Sequence, residues 1–222
     1  ERGRTFQQAG DLILARIYFE KSYALSDQCK LDKQTINAAH MIAIVALTSV
    51  EKIAWNNKAL DLAMNASDVS ARSWQAPLLN NLGANYLEDQ QLEKALDAFQ
   101  QALVAFEKSL EQQGNTRFAK FRVAQVLRML GRLDEALAMQ QEQLKEYNAI
   151  TASGKFDMPA EMFVLIRGFV YEELAEIYVA KNEQDLARKY AQLALADLDN
   201  QMFVITDPTS TQRLEKLKQI KD

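Results

Sequence analysis

Few side chains in this sequence could carry covalent chemistry. Its 222 residues include one histidine, His40, and one cysteine, Cys29. A single imidazole cannot build an HExxH site or a two-histidine ligand set. A lone thiol can form neither an internal disulfide nor a cysteine zinc cluster. No glycine-rich phosphate loop follows a strand, no GxSxG elbow occurs, and a Cys29–His40 pair would lack a third group to orient it. The reading is therefore non-catalytic, with no metal and no cofactor. Groups suited to recognition are better represented. The Asn80 and Asn81 amides can donate and accept together, as a peptide backbone does. Arg122 and Arg128, with Gln125 between them, suit a carboxylate through paired N–H donors, and the neighbouring Phe118 and Phe121 could anchor an apolar group. Glu172, Glu173 and Glu176 suit a Lys, an Arg or an N-terminal amine. His40 lies among Ala38, Ala39, Met41 and Ile42, which makes it either a helix-packing residue or, on a surface, the one side chain titrating near neutral pH.

These groups must be placed by helices. Only 7 Gly and 3 Pro occur, and Ala, Leu, Gln, Glu and Lys dominate, so the fold class is all-α. The most regular stretch spaces Leu79, Leu82, Gly83 and Tyr86, then Ala95, Phe99 and Ala102. Small residues suit a close crossing of antiparallel helices, and the larger ones fill the seam between pairs. The same small-to-Ala interval recurs as Gly3/Ala15, Ala124/Ala136 and Ala175/Ala187. Helix pairs are expected at about 1–28 (truncated at its start), 33–67 (degenerate in register), 75–112, 117–148 and 159–200. A polar cap is expected over 209–221, all within a single domain. Thr48-Ser49 predict an N-cap, Gly114-Asn115 a break and residues 148–159 the one linker.

The segments HMIAIVAL, APLLNNLGANYLEDQQLEKALDAF and FAKFRVAQVLRMLGRLDEALAMQ resemble the tetratricopeptide-repeat (TPR) family, and within it a group of bacterial proteins without an assigned activity. The resemblance covers almost the whole chain. It implies a right-handed α-solenoid of helix-turn-helix repeats whose first helices line a concave groove, with a C-terminal capping helix covering the last apolar face. On that face it places Asn80, Asn81, Phe121, Arg122, Gln125, Arg128, Glu172, Glu173 and Glu176, with His40 if it turns that way. Such a groove would accept an extended peptide or protein tail with separated charges. Equally, its arginines and glutamates could pair with one another inside the protein.

The expected role is a protein-protein or peptide-binding scaffold or adaptor; the alternative is a regulatory or sensor protein holding a small ligand in the groove. A net charge of -4 and a pI near 5.3 argue against nucleic acid. No apolar run has the roughly 20 residues of a membrane span, so no membrane insertion is expected. The expected partner is a protein or peptide, with a homo-oligomer also open. Because the sequence begins at Glu1 and not Met, upstream residues are expected, and the location reads as cytoplasmic unless a signal has been removed.

Overall fold

The computed structural model describes residues 1–108, 113–156, 158–199 and 209–221. Among these there is helix and no strand. Where one domain is expected, the chain packs as two compact units, Glu1–Lys108 and Ser109–Asp222.

Unit 1 contains α1 (Arg2–Gln8), α2 (Leu12–Gln28), α3 (Asp32–Val45), α4 (Ser49–Asn65), α5 (Val69–Arg72), α6 (Gln75–Glu88) and α7 (Leu92–Glu107). Unit 2 contains α8 (Gln113–Met129), α9 (Leu133–Ser153), α10 (Ala160–Ala180), α11 (Gln184–Leu198) and α12 (Ser210–Lys221). Helices pair as α1/α2, α3/α4 and α6/α7 in the first unit and α8/α9 and α10/α11 in the second. The one-turn α5 has no counterpart among the expected elements. It lies between α4 and α6 and starts from Asp68, whose carboxylate accepts from the Ser70 backbone N–H at 2.9 Å.

Four of the five pairs close by a shared turn. At the ends of α1, α6, α8 and α10 one backbone N–H reaches back five residues, as in Asp11 N–H to Phe6 O (2.9 Å) and Gln91 N–H to Tyr86 O (2.8 Å). This Schellman arrangement needs a left-handed residue just before that donor. Gly10 and Gly131 fill the position with φ of 81° and 76°, whereas Gln90 and Asn182 adopt it at 59° and 61° despite carrying a Cβ.

The small residues sit where the crossing is tightest. A Cβ added to Gly83 would stand 2.6 Å from the Phe99 ring, and one on Gly3 would stand 2.6 Å from Phe19. Phe99 is fully buried and Phe19 nearly so, so each ring lies flat against bare backbone. Thr48 caps α4 as expected, accepting from Glu51 N–H at 3.2 Å. Two boundaries differ from expectation. Gly114-Asn115 lie inside α8, and α9 runs on to Ser153 before Gly154 ends it at φ 64°. The expected tail of the third pair, residues 109–112, and most of the stretch before the cap, 200–208, fall outside the described residues.

Candidate functional site

A cavity of about 300 Å³ opens in unit 1 between α3, α4 and α6. Its floor is a chain of polar side chains. Asn56 is buried on α4, with its Oδ1 3.2 Å from His40 Nδ1 of α3. A carbonyl oxygen can only accept, so the imidazole carries its proton on Nδ1. Asn56 Nδ2 in turn donates to Asn85 Oδ1 of α6 at 2.8 Å. The chain therefore runs donor to acceptor from His40 through Asn56 to Asn85, and leaves the Asn85 amide N–H group to be used by something else. Asn81, one turn earlier on α6, lines the same cavity and makes no hydrogen bond among the described residues. Ala43, Ile44 and Ala84 form the apolar walls. Lys52 stands at the rim, its ammonium 2.8 Å from Glu88.

Burial is the main influence on His40 and lowers its pKa. The Asn56 bond pulls the other way, and the Arg4 charge adds to the lowering. The ring is thus neutral at pH 7, held edge-on to Trp74 at 5.8 Å. Nothing about His40, Asn56 and Asn85 in sequence says that they meet, because each comes from a different helix. Only the i, i+4 spacing of Asn81 and Asn85 on one helix face could have hinted at it.

Asn80 lies beside this cavity without lining it, and its Oδ1 is buried with no hydrogen-bond partner. The remaining expected residues belong to unit 2. Phe121 is 2% exposed and stacks on Phe169 at 5.5 Å, so its ring is core and is not offered to a partner. Arg122 lies over Phe118 at 5.0 Å and donates to Gln125 Oε1 at 3.0 Å. Glu173 is also interior, with Arg128 forked onto it at 2.6 and 3.2 Å. Burial pushes the Glu173 carboxyl up to about 7 against the pull of Arg128. Glu172 receives Arg213, and Glu176 receives Lys216 at 2.6 Å with Arg128 at 3.8 Å. The acids expected to meet a basic ligand are therefore engaged by cations of the same unit.

No group of three or more His, Cys, Asp or Glu among the described residues could hold a metal ion. No helix among them is long and apolar enough to cross a membrane.

Residues 74–145 match the tetratricopeptide repeat family. No curated protein matches the sequence significantly. In fold, 95% of the chain aligns with 93% of a variant form of a Podosopora anserina protein described as a kinesin light chain with nearly identical TPR-like repeats, at TM-score 0.68 and 15% identity. BtubC (BKLC) from P. vanneervenii aligns over 94% of this chain and 84% of its own, at TM-score 0.67 and 15% identity. At such identities the likeness is one of fold. Residues 74–145 thus carry the tetratricopeptide-repeat sequence, and the fold over nearly the whole chain is like that of a solved protein with TPR-like repeats.

Proposed function

We propose that this chain is a non-catalytic interaction scaffold whose unit 1 cavity holds the main chain of an extended peptide. Proteins built from these repeats generally act as protein-interaction scaffolds, which supports the class of role. The observation that carries the site is the unspent hydrogen-bonding capacity of Asn81 and Asn85 at the end of a fixed polar chain. Orientation of the Asn85 amide is set before any ligand arrives, since its Oδ1 is already committed to Asn56. Pre-organised groups lose less entropy on binding. A peptide bond offers one carbonyl and one N–H, which the Asn85 N–H donors and the Asn81 Oδ1 can satisfy together. The cavity is open-mouthed and combines three side-chain amides with apolar walls, which favours a chain passing through it over a small enclosed ligand.

The test is a display library of unstructured peptides selected on the wild-type protein. Each retained peptide is then measured by fluorescence anisotropy against Asn81→Ala, Asn85→Ala. Losing these hydrogen bonds should weaken binding roughly tenfold or more. Asn85→Ala also strips the buried Asn56 Nδ2 of its acceptor and lowers the unfolding midpoint. Asn81→Ala alone, which leaves the midpoint little changed, must therefore show weakened binding as well. Equal affinity for the wild type and the double variant would remove the cavity from consideration.

A further inference from the structure

The C-terminal helix is held to its unit differently from its neighbours. α10 buries twelve residues, whereas α12 buries only Ser210, Leu214 and Leu217. Its charge is one-sided, with Arg213, Lys216, Lys218 and Lys221 against Glu215. Two of these cations reach α10. Arg213 forks onto Glu172, with Nε at 2.9 Å, and covers the Phe169 ring at 4.8 Å. Lys216 Nζ lies 2.6 Å from Glu176. Leu214 and Leu217 enter an apolar cluster with Phe121, Phe169 and Leu198. The surface beneath α12 thus selects one helix face, in the order cation, Leu, any residue, cation, Leu. From α8, Arg128 pairs with Glu173 and approaches Glu176. With α12 lifted away, Glu172 loses Arg213 and Glu176 loses Lys216. A largely buried Glu172 without its partner is costly, and Glu176 is left with only the longer contact to Arg128. A well-matched replacement therefore brings two cations three residues apart and an apolar stripe.

We propose that this surface of unit 2 is a docking site for a basic amphipathic helix of a partner protein, with α12 as its resident, exchangeable occupant. The partner is specified by what α12 supplies: positive charge at i and i+3, and leucine-like side chains at i+1 and i+4. Ionic attachment makes the exchange sensitive to salt, because paired charges near a surface are screened while apolar contacts are not. The partner helix would compete with α12 without unfolding α10 or α11.

Hydrogen exchange on the full chain reads the first half of this. The α12 amides should exchange about tenfold or more faster than those of α10 and α11, and several-fold faster again in about 0.5 M salt. A labelled peptide of residues 209–221, added in trans, reads the second half. It should bind Arg213→Gln, Lys216→Gln full chain about tenfold tighter than wild type, since the weakened resident competes less. The same peptide carrying both glutamines should bind neither chain. Protection of α10 and α11 in the variant reports that unit 2 is folded, and the wild-type salt series needs no variant. The proposal is overturned if α12 loses protection only together with α10 and α11, or if the peptide fails to prefer the folded variant. It is overturned equally by a concentration-dependent dimer exchanging α12, which would make a second copy the occupant. Asn81→Ala should alter none of these readings, so failure here leaves the unit 1 cavity standing.

Discussion

Glu173 is the residue whose environment departs furthest from its ordinary chemistry. Its carboxyl is raised from 4.5 to about 7, chiefly by burial. Between those values the folded protein holds a proton that the unfolded chain releases. That contribution is complete below about pH 4.5 and is lost as pH rises through about 7. The unfolding midpoint followed by circular dichroism should fall between about pH 5 and 7.5, and Glu173→Gln should flatten the slope. A slope that survives the substitution would assign it to another group. Neighbouring influences act elsewhere. Glu51, Asp134 and Glu135 are held low by Arg16, Lys181 and Arg132, so their stabilisation is present above the usual carboxylate range and lost in more acid solution. His40 is lowered by burial, which costs stability as pH falls below 6.5, but it belongs to unit 1. Glutamates 172, 173 and 176 were legible in the sequence as a cluster. That α12 returns to neutralise two of them was not, because the pairing spans about forty residues and no local pattern records it.

At the scale of the element, the small-residue frame was legible because its cause is local geometry. One position in each hairpin must lack a side chain or nearly so, and Gly83 against Phe99 shows why. Gly83→Leu should force the ring out of its place and lower stability by about 1–3 kcal/mol, measured by denaturant unfolding. An unmoved midpoint would mean that α6 and α7 do not cross there. Turns made without glycine are harder to see. Gln90 and Asn182 occupy the left-handed position at a cost that the flanking packing must offset. The end of α9 is obscured for a related reason. Asn148, Thr151 and Ser153 look like loop residues, yet Thr151 and Ser153 bond back to Tyr147 O at 2.8 Å and Ile150 O at 2.9 Å and let the helix continue. Residues at 114–115 likewise join α8, since a glycine in a first turn weakens a helix without ending it.

For the whole molecule, the informative fact is where the tryptophans are. The sequence has two, Trp55 and Trp74, and both lie within Glu1–Lys108. Trp55 meets Tyr23 edge-on at 5.5 Å, and Trp74 packs into the α3–α4–α6 core. Indole emission is therefore an optical channel belonging to unit 1, while far-ultraviolet circular dichroism sums both units. Gly83→Leu should shift the fluorescence transition, and Glu173→Gln should shift the dichroism transition while leaving the fluorescence one in place. Coincident shifts in both channels for both variants would mean that the units melt as one. The contact between Trp74 and His40 extends the same channel to the cavity. Any molecule that settles against His40, or any proton that it takes up, changes the surroundings of a fluorophore the chain already carries. Binding at this site can then be followed in the unlabelled protein, as a change in the colour and intensity of its own emission.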